Sequence, residues 1–436
     1  MLTDCARNGI FRFFPDWNNG NTTTTAPTVP TTSGTATTAV VVALGNPKPP
    51  ATFRDGRPYT GTLQYVSVFG QLENTPTRPD CSDARVTPNT TWDPARPNVD
   101  PTGFIKKVLD KMPHANSFDA TTGFTAITPD GLNTALYRYS RSRRGNDDLT
   151  LGTSDDTERK QINVRVDHNF NANHKFGVNW SYERDNADNA ASAFPGGFWG
   201  SIQRRPQVVA ANFVSTLTPS LVNEVRWGVR YNKGVQYSAI DDPQYGKAAH
   251  EFFPTINGIP LLVGPGSGAF GTSSVDFQSS LLTFTDFTRG NITPLWTYAD
   301  TVSWTKAKHA FKAGADLRMD KSDGYSNLNL QPHATGGAGQ IPFPTFTNFV
   351  PGLLTTNSTT MQNLLGFLSG SIGTLNQLYF LKSADRLDKY EDLRTADKRG
   401  TVVRQNEWSA FVKDDWKVTS DLTLNLGVRY EYYGSP

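Results

Sequence analysis

Histidines and paired carboxylates are the residues of this 436-residue chain that could carry out chemistry. None of the six histidines stands at a metal-ligand spacing from another histidine or from a cysteine. Asp414 and Asp415 are adjacent, but neighbouring residues of a strand point to opposite faces, so they are poorly placed as an acid–base pair. The glycine-rich stretch 264–271 lacks the Gly-Lys-Ser/Thr ending of a phosphate loop. We therefore expect no enzyme activity, no metal site and no cofactor.

A second set of charged residues has a regular spacing and could bind a ligand. These residues alternate with apolar ones along extended segments, so each lies on the strand face opposite the apolar side chains. The set is Arg165, Asp167, Arg226, Arg230, Asp316, Arg318, Arg429 and Glu431. They could line a path for a substrate, or they could form only ladders of cross-strand charge pairs on a wet surface.

Residues 401–433 show the alternation most clearly and read as two strands joined by a short polar turn at 417–421. Apolar residues occupy every second position of the second strand: Leu422, Leu424, Leu426, Val428, Tyr430 and Tyr432. The first strand alternates more loosely, because Phe411 and Asp414 break its pattern. This unit is a β-hairpin with one apolar face.

The same hairpin pattern recurs along the chain, and the segments between hairpins are long. We predict eight strands in four hairpins at about 161–183, 207–231, 295–320 and 406–433. Long loops separate them at 184–206, 232–294 and 321–405, and residues 1–160 form a long loop region with little regular structure. Short helices are predicted after Asp100, with Pro101 in the first turn, and at 360–368.

Two environments produce such hairpins. In a soluble sandwich the apolar face packs on a second sheet, and in an outer-membrane barrel it contacts lipid. Trp408 and Trp416 are eight residues apart on that face. This separates them by about 19 Å across a membrane if the strand is tilted by roughly 45°. Short turns on one side and long loops on the other also favour the barrel.

Aromatic residues on the apolar faces would then mark the membrane interfaces. They are Trp180, Trp227, Trp296, Trp304, Trp408, Trp416, Tyr430 and Tyr432. The composition agrees with this class: hydrophobic residues make up 37%, and no apolar run approaches the ~20 residues of a spanning helix. A net charge of +2 gives no basic field for nucleic acid.

Cys5 and Cys81 are the only cysteines. They are either two unrelated thiols or one disulfide formed in an oxidising compartment. The small, even number favours the disulfide. The first residues lack the basic and apolar regions of a signal peptide, so we expect that this chain does not carry its own export signal.

Residues 411–433, FVKDDWKVTSDLTLNLGVRYEYY, closely resemble a recurring segment of TonB-dependent outer-membrane receptors, and best of all the Oar-like receptors. Weaker resemblances to the same barrel region lie in GIFRFFPDW (9–17), DPTGFIKKVLDKMP (100–113), DGLNTALYRYSRSRRG (130–145), INVRVDHNFNANHKFGVNWSYERD (162–185) and HAFKAGADLR (309–318). The resemblance implies an antiparallel up-and-down transmembrane β-barrel that imports or binds a ligand at the outer membrane.

The family resemblance also sets expectations about partners. Those receptors have 22 strands and a plug domain, and we find neither a plug nor a TonB box here, so the chain looks like a partial barrel or fragment. Expected partners are outer-membrane lipid, the TonB system through a plug domain absent from this chain, and an unidentified extracellular ligand. Residues 1–160 would lie outside the cell, braced by a Cys5–Cys81 disulfide.

Three functions remain open on the sequence. The first is a TonB-dependent transporter or receptor for a siderophore, glycan or peptide. The second is a structural or adhesive outer-membrane barrel whose long loops bind a partner. The third is a soluble all-β carbohydrate-binding module, which would hold its tryptophans in a core or along a sugar groove.

Overall fold

The computed structural model describes residues 1–17, 19, 29–30, 36–37, 58, 60–115, 130, 132–135, 157–189, 198, 200–244, 246–256, 258–264, 288–326, 332–391 and 399–435. The first third contains only short elements: α1 (Asp4–Arg7), β1 (Ile10–Phe13), β2 (Val29–Pro30), β3 (Ala36–Thr37), β4 (Gln64–Ser67), β5 (Gly70–Leu72), β6 (Val86–Thr91) and α2 (Phe104–Lys111).

Long strands follow, with further short elements between them. The first group is β7 (Thr157–Asn169), β8 (His174–Asn189), β9 (Gly200–Arg204), β10 (Gln207–Thr218), β11 (Leu221–Gln236), α3 (Gly246–Phe252), β12 (Thr255–Ile256), β13 (Ile259–Pro260) and β14 (Leu262–Gly264). The second is β15 (Arg289–Lys306), β16 (His309–Ser326), β17 (His333–Gly336), a 3₁₀ turn (Phe346–Asn348), α4 (Thr355–Leu368), β18 (Ile372–Asn376), β19 (Arg399–Lys417) and β20 (Thr423–Tyr433).

The long strands form one up-and-down antiparallel sheet. Each pairs with the next along the chain, from β7 at one edge through β8, β10, β11, β15, β16 and β19 to β20 at the other. The short strand β9 continues the line of β10. It pairs with the ends of β8 and β11 that lie away from the short turns, which we call their outer ends. Strands β9 and β10 are separated by Arg205 and Pro206, and a proline has no N–H to donate to a ladder.

The four predicted hairpins are confirmed, with longer strands than expected. Two turns have only two residues, at 219–220 and 307–308, and Ala307 adopts φ 53°, in the left-handed region that tight hairpins use. The turns at 170–173 and 418–422 are nearly as short. The third hairpin extends from Arg289 to Ser326, beyond the predicted 295–320. Its outer ends therefore reach past the ~10 residues that a strand needs to span a bilayer.

Many side chains on the apolar face of the sheet are exposed. Val428 is 70% exposed and Tyr430 is 60% exposed, and the same face is open on β7, where Ile162 is 55% exposed. Among the described residues, no second sheet packs on it. A large exposed apolar face marks a surface that meets another apolar medium. The sheet therefore lacks the sandwich partner that a soluble module of this size would need.

The buried core lies in the connections. We call it the loop core: it consists of buried apolar residues within 2–13, 66–69, 105–112, 198, 239–253 and 346–368. Phe11, Phe346 and Leu364 are completely buried in it. The loop core adjoins the outer end of the sheet, since it includes Ala239, three residues after β11. We predicted little regular structure for 1–160 and 321–405, and we did not foresee that their short elements would pack on each other.

The first predicted helix was placed too early. Asp100 accepts hydrogen bonds from the backbone N–H groups of Thr102 (2.9 Å) and Ile105 (3.0 Å), so a turn precedes α2 and Pro101 lies outside it. Gly103 adopts φ 77° in that turn, a conformation that glycine tolerates. Arg7 donates to the carbonyls of Met112 and Pro113 (3.2 Å each), which lie just past the end of α2. Among the described helices, none is long and apolar enough to cross a membrane.

Candidate functional site on the charged face of the sheet

The sheet has two chemically different faces. Residues that pair directly across antiparallel strands share a face, so the register defines rows that run across the sheet. One row joins Val166, Val178, Ala211, Trp227, Tyr298, Leu317, Trp408 and Tyr432. We call this side the aromatic face and the opposite side the charged face.

All eight predicted charged residues lie on the charged face. The register places Arg165 and Arg318 in one row, with Glu407 and Tyr433 at its end. The next row towards the turns holds Asp167, Arg226, Asp316, Ser409 and Glu431. Arg429 lies opposite Phe411, one row nearer the turns than Glu431. Arg230 lies opposite Leu295, one row nearer the loops than the row of Arg165 and Arg318.

Three adjacent strands carry a connected charge cluster. Arg318 of β16 pairs with Glu407 of β19 at 3.0 Å. Arg429 of β20 lies 3.5 Å from Asp316 and 2.5 Å from Glu431. Ser409 lies between them; it accepts a hydrogen bond from Arg429 (2.8 Å) and donates one to Asp316 (3.1 Å). These residues line a cavity of about 330 Å³.

Three of the other predicted charges, Arg165, Asp167 and Arg226, take part in separate pairs along their own strands. Arg165 pairs with Asp167 at 2.8 Å on β7, and Arg226 lies 3.8 Å from Glu224 on β11. The structure thus joins part of the predicted set and leaves the rest apart. Glu407, Ser409 and Tyr433 belong to the cluster but were not predicted, although each occupies an alternate position in a strand that we had recognised.

Phe411 breaks the alternation of β19 for a local reason. It lies on the charged face directly opposite Gly314, where a Cβ atom would come within 2.7 Å of the phenylalanine ring. A large aromatic ring thus covers a cross-strand glycine, a known way to stabilise glycine in a sheet. The Arg429 guanidinium lies 5.7 Å from the centre of the same ring.

The eight predicted aromatic residues all lie on the aromatic face, and seven of them fall into two belts. Trp180, Trp227, Trp296, Trp408 and Tyr432 occupy two neighbouring rows on the loop side. Trp304 and Trp416 lie close to the turns, where Trp304 stacks on Phe311 (5.6 Å) and Trp416 on His309 (5.4 Å). Tyr430 lies one row below the loop-side belt and contacts Trp408 (5.3 Å).

The aromatic face also carries polar pairs, two of which involve a carboxylate near the belts. Asp414, the second residue that broke the alternation of β19, lies 2.6 Å from His309 within the turn-side belt. Asp300 accepts a hydrogen bond from Asn223 at 2.5 Å between the two belts. Each carboxylate therefore has a partner from a neighbouring strand, as a polar group on an apolar surface requires.

The connections also hold a disulfide and buried polar groups beside the loop core. Cys5 and Cys81 are joined by a disulfide with a Cα–Cα distance of 4.9 Å. Arg12 is 2% exposed and donates to the Leu132 carbonyl (3.0 Å from Nε), while its backbone N–H donates to Asn133 (2.7 Å). Burial lowers the pKa of the Arg12 guanidinium, and the nearby Asp130 carboxylate opposes that shift. Burial likewise lowers the pKa of Lys111.

The described residues contain no group of three or more histidines, cysteines or carboxylates that could hold a metal ion. The charged face offers hydrogen bonds and ion pairs, which can bind and orient a polar ligand.

The sheet is similar to parts of solved outer-membrane structures. The ferripyoverdine receptor of Pseudomonas aeruginosa is 13% identical over 64% of this chain and 31% of its own, with a TM-score of 0.33. The outer membrane transporter YddB from Escherichia coli is 8% identical over 66% of this chain and 36% of its own, with a TM-score of 0.28. The Fiu ferric-catecholate import receptor of E. coli K12 is 13% identical over 64% and 36%, with a TM-score of 0.28.

The chain thus spans about a third of the length of these solved proteins. No curated protein matches it. The model of the outer membrane beta barrel domain family matches residues 13–436, which is nearly the whole chain. The chain belongs to the outer membrane beta barrel domain family, and its antiparallel sheet is the wall of a barrel in the outer membrane.

Proposed function

We propose that this chain is part of a TonB-dependent outer-membrane receptor or transporter of the Oar-like type, which takes up or binds an extracellular ligand without covalent chemistry. The observation that carries the proposal is the sheet itself. It has an exposed aromatic face, a charged opposite face, short turns at one end and a packed loop core at the other. The resemblance of residues 411–433 supports the Oar-like assignment.

In this proposal the aromatic face contacts lipid and the charged face lines the lumen. The loop-side belt of Trp227, Trp296 and Trp408 then lies at the outer interface, and Trp304 and Trp416 lie at the periplasmic one. The loop core and the disulfide face the outside of the cell. Coupling to the TonB system would run through a plug domain, and the ligand belongs to the siderophore, glycan or peptide class.

Quenching of tryptophan fluorescence by lipid tests this orientation. The full chain is reconstituted in vesicles whose acyl chains carry bromine atoms at known depths. We expect quenching in two depth zones; Trp408→Phe should weaken one and Trp416→Phe the other, because the two rings lie in different belts, each of which also holds other tryptophans. Trp92 hydrogen-bonds to Ser67 away from the sheet and serves as the control, so Trp92→Phe should leave both zones unchanged. Absence of lipid quenching would reject the membrane assignment.

An adhesive barrel is the second candidate, and the loop core favours it, because a packed extracellular unit can bind a partner without any transport. Ligand accumulation in cells separates the two. A transporter stops accumulating ligand when the proton gradient is collapsed, while its surface binding persists. An adhesive barrel shows surface binding alone, with no component that depends on the gradient.

A further inference from the structure

Basic side chains gather on the aromatic face just beyond the loop-side belt. The strand register places them in the next two rows towards the loops. Among the described strand residues of these two rows, Asp323 is the one carboxylate. We call the basic set the basic band, and it consists of Lys160, Arg184, Arg205, Lys233, Lys321 and Arg404.

The basic band is built from like-charged pairs that stand directly opposite each other on neighbouring strands. Lys160 is opposite Arg184, and Lys321 is opposite Arg404. The third pair lies in the gap between β9 and β10, where the Arg205 N–H donates to the carbonyl of the residue opposite at 2.9 Å. Like charges directly opposite each other destabilise a sheet. Three such pairs side by side are therefore unfavourable unless an anion lies against them.

Neighbouring carboxylates compensate only part of this charge. Lys321 contacts Asp323 at 3.0 Å and Lys160 contacts Glu158 at 2.6 Å, in each case along its own strand. The guanidinium of Arg205 donates to two backbone carbonyls, at 2.7 and 3.1 Å, and these carry no net charge. The other three members of the band are exposed. The basic band thus keeps a surplus of positive charge on the side of the sheet that the aromatic belts mark as the lipid side.

The depth of the basic band selects the kind of anion. Rows on one face follow each other by about 6.6 Å along a strand, which is roughly 5 Å of depth at a tilt of about 45°. The basic band therefore begins about 5 Å beyond the loop-side belt and ends about 10 Å beyond it. Aromatic belts lie at the membrane–water interface, so the basic band is level with the lipid headgroups.

The other membrane interface lacks this concentration of charge. Among the described strand residues of the turn-side belt on this face, there is one lysine, Lys306, which lies 5.1 Å from the centre of the Trp304 ring. That belt otherwise carries aromatic and aliphatic residues and the His309–Asp414 pair. The positive charge on the lipid side of the sheet is thus concentrated at its loop end.

The spacing of the three pairs indicates how many anionic groups fit. In sheet order the pairs lie between β7 and β8, between β9 and β11, and between β16 and β19. With strands about 4.8 Å apart, successive pairs are separated by two and three strand spacings, which is about 10 Å and about 14 Å. One phosphate can lie against each pair, so a headgroup with two phosphates at such a separation can bridge two pairs.

We propose that the basic band binds a lipid of the outer leaflet whose headgroup carries two or more phosphates. Each phosphate lies against one like-charged pair, since ammonium and guanidinium groups form strong charge-assisted hydrogen bonds with phosphate oxygens. The acyl chains then lie along the apolar rows of the aromatic face. The inference rests on the orientation given under the proposed function, with the aromatic face towards lipid and the loops outside the cell.

Native mass spectrometry of the full chain, released from detergent, tests the site with defined probes. The probes are lipid A with two phosphates, lipid A with one phosphate, phosphatidylglycerol and free pyrophosphate. We expect the lipid A with two phosphates to bind most tightly, because it can bridge two pairs. Pyrophosphate at the same concentration should not displace it, since the acyl chains add their own contact with the aromatic face.

Two double variants locate the site. Lys321→Gln with Arg404→Gln removes one pair, and Lys160→Gln with Arg184→Gln removes another. Each should weaken binding of lipid A with two phosphates by about tenfold or more, as expected for two cations at a membrane surface. Without lipid, both variants should fold as well as the wild type, because each change relieves a repulsion between like charges.

The chain offers a closely matched control in Lys312→Gln with Lys413→Gln. These two lysines also stand directly opposite each other on β16 and β19, but on the charged face and near the turns. Lys413 contacts Asp415 at 3.2 Å, much as Lys321 contacts Asp323. Binding of lipid A to this control should stay within about twofold of the wild type.

The outcomes separate the sources of the phosphate and the two proposals. Equal binding of phosphatidylglycerol, or affinities of both pair variants that match the control, would overturn the inference. Displacement by pyrophosphate would assign the basic band to free phosphate and also reject the lipid. If one pair variant fails to fold, the other decides the result. An adhesive barrel without transport would keep the lipid site, so loss of gradient-dependent accumulation would reject the transporter alone.

Discussion

At the scale of single residues, Arg96 connects segments of the loops that are far apart in the sequence. It is 6% exposed and pairs with Asp93 at 2.5 Å. It also donates to Ser371 (2.9 Å) and to the carbonyls of Ala338 and Ile341. One buried guanidinium therefore ties residues 93–96 to a connection more than 240 positions later in the sequence.

Arg96→Ala should destabilise the loop core by about 3–5 kcal/mol, because it leaves the Asp93 carboxylate buried without its partner. Limited proteolysis of whole cells measures this as faster cleavage in the connections. The matched control is Arg386→Ala, which removes an exposed pair with Asp388 and should cost under about 1 kcal/mol. Equal cleavage rates for both variants would show that Arg96 does not hold the loops.

At the scale of the element, the strands follow from the sequence because their side chains alternate with a period of two. The two residues that broke the pattern in β19 needed the neighbouring strand to explain them: Phe411 covers Gly314, and Asp414 contacts His309. A sequence shows which positions alternate, but not which residue stands opposite. The start of α2 was missed for a similar reason, since the Asp100 side chain reaches forward to Ile105.

Gly314→Leu should destabilise the sheet, by roughly 1–3 kcal/mol, because the new side chain displaces the Phe411 ring. The loss of stability is measured by urea unfolding. Electrophoresis monitors the unfolding, because the folded barrel and the heat-unfolded protein migrate differently. The double variant Gly314→Leu with Phe411→Ala should recover part of it, since the ring no longer occupies that space. Strictly additive effects of the two changes would mean that the glycine and the ring do not depend on each other.

At the scale of the whole molecule, the antiparallel sheet and the packed connections are stabilised in different ways. The sheet is held by its hydrogen-bonded ladders and has exposed faces, whereas the connections bury apolar residues in the loop core and hold the disulfide in a small separate cluster with Ile10. The Cys5–Cys81 bond joins positions 76 residues apart, and both sulfurs lie in the loops. Its effect should therefore be confined to the loops.

Replacing both cysteines by serine should lower the stability of the loop core by about 2–5 kcal/mol and leave the sheet unaffected. Protease sensitivity of residues 60–115 reports on the loop core. The sheet is followed by the midpoint of urea unfolding, read from the electrophoretic band whose mobility changes when the protein is heated. Reduction of the wild type should reproduce the same pattern. A matching shift of the sheet midpoint would show that the two parts unfold as one unit.

The sequence by itself determined the strands, the two faces and the outer-membrane barrel class, because alternation is a local property that each hairpin expresses on its own. Alternation also assigned the eight charged and the eight aromatic residues to opposite faces of the sheet, and the strand register groups them in the same way. The tertiary structure alone decided what lies opposite what: the Arg318–Glu407 and Arg429–Asp316 pairs, the like-charged pairs of the basic band and the loop core. Those contacts join residues far apart along the chain, and their register depends on how the strands align across the whole sheet.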